Sequence, residues 1–344
     1  RDPQVYYDGH KILFAYRRTG THHYHLHEIN ADGSGLTQLT DGPWDDVEPT
    51  WLPDGGIAFC STRCARYIGC WLAPSAILFR CNAQGGDLRM LSSGSFTENT
   101  PRVLADGRIL YTRWEYVNRD AVSFHHLWTM NPDGTRPMIF FGNQQPGSVY
   151  IDAQPIPGSN AVVFIDSPGH GRNEHAGLVA TVTASAGPNA PSSIRHVTRQ
   201  PVYRDPYPIQ PGLYLAAREK QLVVLADDGS ERVLFESEQM LHEPSVIRPR
   251  DRECVVPDTA ESTQSAGTVF LQNAYAGRNM QGVPPGAIRR LLVLEDLPKP
   301  VNFHGGGSQP IGHGVTSTIK RILGTVPVER DGSAHFTVPA RRSI

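Results

Sequence analysis

The sequence lacks several features that would assign it to a common functional class. No apolar stretch approaches the roughly 18 residues that a membrane-spanning helix needs, and no dense run of Lys or Arg points to nucleic acid as a partner. There is no phosphate-binding glycine loop, no dinucleotide fingerprint and no Ser-His-Asp elbow. A Cys-x-x-Cys-His motif is also absent, so this segment cannot itself attach a c-type haem.

The composition favours a large domain built from short strands. The chain has 344 residues, a formal net charge of -2, 39% apolar residues, 33 glycines and 28 prolines. So much Gly and Pro is typical of strands interrupted by many turns. The chain begins at Arg1 without Met or a signal-like segment, and we expect a processed or trimmed piece of an exported protein.

One recurring phrase predicts the architecture. Residues 49–62 (PTWLPDGGIAFCST) indicate a short strand, a Pro-Asp-Gly turn and a second strand. Related phrases begin near six anchor prolines, which are Pro3, Pro49, Pro101, Pro155, Pro206 and Pro244. A second polar turn, such as Asn131–Gly134, follows an alternating segment between most anchors. Alternation indicates half-buried strands and Asp-Gly supplies turns, so each unit is predicted to hold four antiparallel strands, A to D.

Six such units predict an all-β fold, a six-bladed β-propeller of four-stranded antiparallel blades over residues 1–295. A β-sandwich fits less well because it does not explain the two recurring turn anchors. The last blade is expected over residues 244–295. Residues 296–344 are expected to hold a Gly- and Pro-rich linker and then the first hairpin of a further β domain, around Asp331-Gly332.

The cysteines suggest either staples or a metal site. Four of the five lie between Cys60 and Cys81. Cys60 and Cys81 are expected to face each other on neighbouring strands, with Cys64 and Cys70 in the connecting loop. Two disulfides in an exported protein are one interpretation. A thiolate metal site using Cys60, Cys64 and Cys70 is the other, although their spacing matches no standard zinc ribbon.

Histidines are concentrated in the predicted connections between strands B and C. They are His22 and His23 in blade 1, His125 and His126 in blade 3, and His170 and His175 in blade 4. All such connections lie at one end of a propeller, so these imidazoles are expected at the same end. They are either polar loop residues or ligands.

Acidic residues precede most of the anchors. Because strand A is innermost in a propeller, these residues are expected to form a ring near the axis, at the end that carries the histidines. The ring positions are Asp2, Glu48, Thr100, Ala153, Asp205 and Glu243, and Asp152, directly before Ala153, is the candidate carboxylate of blade 4. Two roles are open for it: the side chains accept hydrogen bonds from nearby backbone N–H groups, or they hold a cation.

Six phrases together resemble the hydrazine synthase alpha-subunit family. They are FCSTRCARYIGCW (59–71), DGRILYTRWEYVNR (106–119), HHLWTMNPDGT (125–135), SPGHGRNEHAG (167–177), YRDPYP (203–208) and LGTVPVERDGSAHFTVPA (323–340). The resemblance implies a TolB/PD40-type six-bladed propeller from a periplasmic or secreted bacterial protein. It also implies that a C-terminal region with c-type haem motifs follows the propeller. It further implies a distal haem ligand among His170, His175, His125 and His126, and a zinc ligand among Cys60, Cys64 and Cys70.

The leading hypothesis is therefore a scaffold that supplies His and Cys ligands from one face to a metal or haem group and docks a haem-bearing domain or a cytochrome-like partner. Zinc and calcium are the candidate ions, with His22, His23, Glu48, Asp152, Asp205 and Glu243 as further candidate ligands. A c-type haem would come only through a missing C-terminal region or a partner, and any activity would belong to a haem-dependent oxidoreductase. Two rivals stay open: a metal-dependent lyase or hydrolase with its site at the axial pocket, and an interaction propeller with disulfide-stapled loops. An oligomer is also left open.

Overall fold

The computed structural model describes residues 1–68, 72–94, 96–115, 124–142, 145, 149–169, 176–261, 263–277, 280–297, 299 and 319–344. Over these residues the protein is all-β, with single 3-10 turns at Ala184–Ala186 and Pro191–Ser193. Unit 1 comprises Arg1–Ala65, Pro74–Ser92 and Phe96–Thr259, and unit 2 comprises Arg66–Ala73, Ser93–Ser95 and Ala260–Ile344. No helix within the described part is long and apolar enough to cross a membrane.

Unit 1 contains three four-stranded antiparallel sheets and one eight-stranded sheet, and the eight-stranded sheet consists of two four-stranded antiparallel halves joined by one parallel bridge. We call the three sheets and the two halves blades 1 to 5, in chain order. Blade 1 is β1 (Gln4–Val5), β2 (Lys11–Tyr16), β3 (His25–Asn30) and β4 (Thr37–Gln38), and blade 2 is β5 (Asp46–Trp51), β6 (Ile57–Tyr67), β7 (Pro74–Cys81) and β8 (Arg89–Met90). Blade 3 is β9 (Glu98–Val103), β10 (Ile109–Trp114), β11 (His125–Met130) and β12 (Met138–Phe141). Blade 4 is β13 (Val149–Pro155), β14 (Val162–Ser167), β15 (Leu178–Val182) and β16 (Arg195–His196), and blade 5 is β17 (Arg204–Gln210), β18 (Leu213–Arg218), β19 (Gln221–Ala226) and β20 (Glu231–Glu236).

Consecutive blades bury apolar side chains between their faces. Four core clusters lie between blades 1 and 2, 2 and 3, 3 and 4, and 4 and 5. They contain the large, fully buried side chains of Phe59, Tyr111, Phe164 and Tyr214 respectively. A single parallel bridge between His125 and Val149 also joins blades 3 and 4. Sheets stacked face to face in chain order are the arrangement of a β-propeller, because each sheet covers a face of its neighbour.

The predicted sixth blade is not confirmed as a four-stranded sheet. No residue from 237 to 265 lies in a strand among the described residues. Residues 244–259 contain three prolines, Pro244, Pro249 and Pro257, and proline cannot donate a ladder hydrogen bond. The unit 1 chain therefore ends without strands B to D of a sixth blade.

Residues 248–259, which we call the strap, instead run along the turns between the first two strands of successive blades. Arg248 bonds the Ile209 carbonyl of blade 5, and the Arg250 N–H donates to the Tyr7 carbonyl of blade 1 at 2.9 Å. Arg252 donates to the Pro53 carbonyl of blade 2 at 3.1 Å, and the Cys254 N–H donates to the Ala105 carbonyl of blade 3 at 3.3 Å. Alternate residues thus contact consecutive blades, as expected for extended chain whose side chains alternate.

Unit 2 pairs its strands differently from the sequence prediction. Strands β21 (Ala266–Leu271) and β22 (Arg290–Leu297) were predicted for the sixth blade, yet β21 pairs with β24 (Ala334–Pro339) and β22 pairs with β23 (Ile319–Pro327). The predicted hairpin around Asp331-Gly332 is therefore wrong in its pairing: the turn is present, but its two strands belong to separate sheets. Without an inner strand before them, β21 and β22 satisfy their backbone groups with the C-terminal strands.

Candidate functional site

Equivalent residues at the starts of the inner strands share an unusual backbone conformation. Six of the non-glycine residues in the left-handed region, with φ between 49° and 58°, are Asp2, Glu48, Thr100, Asp152, Asp205 and Glu243. Five of them occupy ring positions predicted from the sequence, and in blade 4 the residue is Asp152 instead of the predicted Ala153. Positive φ is uncommon for residues with a Cβ and persists only where surrounding contacts hold it. We call these six residues the axial ring.

Side chains of the axial ring accept hydrogen bonds from the backbone of the next ring member. The Glu243 N–H donates to Asp205 Oδ2 at 3.0 Å, and the Asp2 N–H donates to Glu243 Oε2. The Glu48 N–H donates to Asp2 Oδ2 at 2.9 Å, and the Thr100 N–H donates to Glu48 Oε2 at 2.6 Å. Four successive links therefore run from blade 5 through Glu243 to blades 1, 2 and 3, because the left-handed turn aims each N–H at the preceding carboxylate.

The pKa values of Asp2 and Glu243 are shifted in opposite directions. Burial, the hydrogen bond with Asp2 and the Asp2 charge raise the pKa of Glu243 to about 8. Burial also disfavours the charged form of Asp2, but its hydrogen bond with Glu243 and the Arg1 guanidinium hold the pKa of Asp2 below its ordinary value. Arg1 Nε donates to Asp2 Oδ2 at 2.9 Å. At neutral pH, Asp2 is therefore ionised while Glu243 carries the proton.

Two further acids of the ring are also shifted toward their neutral forms. Burial raises the pKa of Asp152 well above its ordinary value, and the charges of Asp205 and Glu48 add to this. Burial and then the Asp2 charge raise the pKa of Glu48. The Arg102 guanidinium lies close enough to interact with Asp2, Glu48 and Asp152, although burial lowers its own pKa. The ring is thus a buried, strongly coupled set of acids with a cation beside it.

Cys60 belongs to this buried set and does not face Cys81. Cys60 packs between blades 2 and 3 while Cys81 packs between blades 1 and 2, so the two side chains lie on opposite faces of their sheet. Both are free thiols, and the predicted Cys60–Cys81 pairing is therefore wrong. Burial, then the charges of Glu48 and Glu98, raises the pKa of Cys60 well above its ordinary value, and the thiol is hydrogen-bonded to Glu48. A protonated thiol is a poor zinc ligand, because zinc binds thiolate.

The blade 1 histidines lie beside carboxylates that are already occupied. His23 Nδ1 is 3.7 Å from Asp45 Oδ1, and His25 Nδ1 is 3.8 Å from Asp46 Oδ2. Asp46 accepts from Arg63 Nη2 at 2.7 Å and from Ser61 Oγ at 2.7 Å, so its oxygens are committed. The position of His22 is exposed at the surface. These contacts are those of polar loop residues.

The blade 3 histidines are buried in aromatic surroundings. His125 stacks on Trp114 with ring centroids 4.8 Å apart, and His126 lies 5.0 Å from the Tyr150 ring and 5.4 Å from Phe124. Their residues are 8% and 1% exposed, so neither imidazole is presented at the surface of the blade.

The remaining predicted ligands, Cys70, His170 and His175, lie outside the described residues. Cys64 is described, and its Sγ donates to the Ser75 carbonyl at 3.2 Å. Among the described residues, no group of three or more His, Cys, Asp or Glu side chains is arranged to hold a metal ion.

The axial ring supports two roles: its carboxylates hold the backbone of the inner strands, and some of them bind protons near neutral pH. The sheet registers place the starts of the inner strands at the same end as the connections from β2 to β3, β6 to β7 and β10 to β11. The axial ring is thus at the end where the predicted loop ligands belong. The sequence analysis did not identify Arg102 as the cation beside the ring, and it did not identify the strap. The only signal for the strap in the sequence is the arginine at every second position, Arg248, Arg250 and Arg252.

Comparisons with known proteins bear on this fold. Residues 286–344 match the family model described as hydrazine synthase alpha subunit middle domain. Hydrazine synthase from Kuenenia stuttgartiensis has a similar structure, with a TM-score of 0.77 at 18% identity over 99% of this chain. The chain spans 57% of the length of that protein. At this identity the structural likeness shows the fold, and the family-model match is confined to the C-terminal part.

Two other solved structures have weaker likeness. TolB from Acinetobacter baumannii has a TM-score of 0.38 at 13% identity, covering 67% of this chain and 64% of its own. A gluconolactonase from Xanthomonas campestris has a TM-score of 0.47 at 13% identity, covering 64% of this chain and 71% of its own. No curated protein matches the sequence. The resemblance to the hydrazine synthase alpha-subunit family is confirmed by the first two comparisons together.

Proposed function

We propose that this chain, which resembles the hydrazine synthase alpha-subunit family, is the scaffold and docking module of a longer, exported, haem-associated protein. The observation that carries the proposal is the match of residues 286–344 to that family's middle-domain model, joined to a fold shared with the Kuenenia protein over 99% of the chain. Redox chemistry in such a protein would belong to the haem, and the protein part would position it and exclude solvent.

The axial-ring end is the end we assign to docking. It holds the starts of the inner strands, and the sequence assigns the loops with the predicted ligands to the same end. Four backbone-to-carboxylate links hold the ring residues in a conformation that an isolated strand would not keep. A rigid rim of this kind suits a surface that must present loops at fixed positions.

Some of the predicted ligands are excluded from this proposal and others are kept. Cys60 is not a ligand in this proposal, since it is a buried thiol hydrogen-bonded to Glu48. His125 and His126 are buried within blade 3 and serve in packing. Ligand supply to a haem or zinc would therefore rest on His170, His175 and Cys70, with Cys64 six residues before Cys70 as a further thiol. Bound haem would supply the electron-transfer or substrate-activating chemistry.

Paired histidine variants of the natural longer protein test this assignment. His170→Ala and His175→Ala should each be compared with His10→Ala, which removes an exposed histidine from the turn between the first two strands of blade 1. We expect one of the first two variants to shift or weaken the haem Soret band or to lose zinc, and His10→Ala to match the wild type. A haem-containing protein whose spectrum and zinc content are unaffected by either variant would remove the ligand role.

The two rival functions are supported unequally. A metal-dependent lyase or hydrolase needs several ligands around one ion, and the described residues offer no such group. An interaction propeller is supported by the broad faces of unit 1, but disulfide staples are not, because Cys60 and Cys81 are free thiols. Metal analysis of the purified protein separates the two, since only the first requires a bound ion.

A further inference from the structure

The sector between blades 5 and 1, which we call sector 6, has an inner strand path but no sheet. Glu243 takes the sixth position of the axial ring, accepting from Asp2 of blade 1 and donating to Asp205 of blade 5. Residues 244–247 then continue toward the strap, which contacts Ile209 and Tyr7 at the other end of the same two blades. The chain therefore follows the course of a strand A through sector 6.

The backbone of this inner segment has no ladder partner. Ser245, Val246 and Ile247 make no backbone hydrogen bond to another described residue, and Ile247 is 55% exposed. In blades 2 to 4, by contrast, every inner strand is paired with the next strand of its own sheet. An extended segment with free N–H and C=O groups is an edge that accepts another strand.

The faces of blades 1 and 5 toward sector 6 are incompletely covered. The second strands of blades 2 and 4 are buried on both faces, with residues 57–60 and 162–165 all at 0% exposure. In blade 1 only Leu13 and Ala15 of β2 are buried, while Phe14 is half-buried and Tyr16 is 39% exposed on the other face.

Blade 5 shows an asymmetry only in its outer half, because residues 214–217 of its second strand are all buried. Val223 and Leu225 pack toward blade 4, whereas Leu222 and Val224 on the opposite face are half-buried. Phe235, which pairs with Leu222, is 56% exposed, and every residue of β20 is exposed. Two facing apolar sheet faces with an unpaired inner strand between them require one further sheet to cover both.

Chain order identifies the source of that sheet. In each of the four junctions between blades, the outermost strand ends eight residues before the next inner strand begins: Gln38 to Asp46, Met90 to Glu98, Phe141 to Val149 and His196 to Arg204. The polypeptide that enters the inner strand of blade 1 therefore comes from the outer edge of sector 6. Arg1 already pairs with Ala15 through both its backbone groups, so the inner strand of blade 1 is in progress at Arg1.

We propose that sector 6 is filled by a composite blade, in which residues 244–247 supply the inner strand and the polypeptide directly preceding Arg1 supplies the three outer strands. The Kuenenia protein shows that a chain of this fold can extend well beyond the matched part, since this chain covers 57% of it. The preceding segment would carry apolar residues on both faces, one set toward Phe14 and one toward Phe235.

Photocrosslinking in the natural full-length protein tests the proposal. The probe p-benzoylphenylalanine replaces Phe14 in one variant and Phe235 in a second. In a matched control it replaces Met138, which is 51% exposed on the outer strand of blade 3. We expect the first two to crosslink within the chain to peptides that precede Arg1, with the nearest crosslinked strand ending about eight residues before the inner strand of blade 1, and the control to give none of these products.

Other products would overturn the composite blade. Crosslinks to residues beyond Ile344, to a second copy or to a different polypeptide would each show another occupant, and the absence of any product specific to Phe14 and Phe235 would show an open sector. A mature N-terminus at Arg1 would do the same. As a second readout, amide exchange at residues 245–247 should be at least about 100-fold slower than in an unstructured peptide, and unprotected amides there would contradict the paired inner strand.

Discussion

Replacing Glu243 by Gln should change how the stability of unit 1 depends on pH. Glu243 is half-buried, its Oε2 accepts the Asp2 N–H, and the folded state raises its pKa from 4.5 to about 8. A glutamine keeps an acceptor oxygen for the Asp2 N–H and an amide donor where the protonated carboxyl has its own, but it cannot lose a proton. The variant therefore isolates the titration of this position from its hydrogen bonding.

The sign follows from proton binding in the two states. Between pH 4.5 and about 8, folded Glu243 keeps a proton that the unfolded chain has released, so the free energy of unfolding falls as pH rises through this window. A shift of that size corresponds to about 5 kcal/mol for an isolated, fully buried group. Because Glu243 is only half-buried and interacts with other acids, we expect about 2 kcal/mol of relative stabilisation of Glu243→Gln between pH 5 and pH 9. The lowered pKa of Asp2 acts at acidic pH, outside this window.

Urea unfolding followed by tryptophan fluorescence at pH 5, 6, 7, 8 and 9 measures the difference. The control is Glu238→Gln, which removes the same charge from an exposed position five residues earlier in the chain. We expect the Glu238→Gln curve to run parallel to the wild type and the Glu243→Gln curve to diverge upward with pH. A Glu243→Gln curve that stays parallel to the wild type across the range would refute the raised pKa of Glu243.

Three other outcomes follow from the same contacts. Glu48→Ala should lower the free energy of unfolding by about 1–3 kcal/mol relative to Glu48→Gln, because it leaves the Thr100 N–H without its acceptor; equal stabilities in urea would contradict this. Cys254 is exposed and Cys60 is fully buried, so a thiol reagent followed by peptide mapping should label Cys254 in the folded protein and Cys60 only after denaturation; rapid labelling of Cys60 would count against its placement. Tyr7→Phe removes the 2.6 Å hydrogen bond that anchors the strap through Glu253 and should cost about 1 kcal/mol, measured as the change in urea midpoint at constant slope; an unchanged midpoint would show that the strap is held by other contacts.

The repeat predicted six blades, and the strands of the first five are present, because each signal is local. Pro-Asp-Gly and Asn-x-Asp-Gly fix turns within a few residues, and an acid stands directly before four of the six anchor prolines. The left-handed conformation of the ring residues was not predictable, because proline ordinarily biases the residue before it toward extended backbone. At Glu243, Asp2, Glu48 and Thr100 it accompanies the hydrogen bond that the backbone N–H donates to the carboxylate of the preceding ring member.

The prediction of a four-stranded sixth blade was not confirmed, and the reason also lies in the local sequence. Glu243-Pro244 reproduces the anchor, but Pro249 and Pro257 follow at positions where strands need N–H donors. Pairing between distant parts of the chain then determined the remaining strands, since β21 and β22 take partners more than 20 residues away. The prediction that Cys60 and Cys81 face each other required the correct register between their two strands. It was wrong because a change of one residue in register moves a side chain to the opposite face of the sheet.

The haem content of the natural full-length protein, measured as the pyridine haemochrome spectrum per polypeptide, tests the proposed scaffold role most directly. The account predicts at least one covalently attached haem per chain, bound outside residues 1–344 because this stretch has no Cys-x-x-Cys-His motif. A full-length protein, purified intact with its partners, that shows no haem absorbance would contradict it.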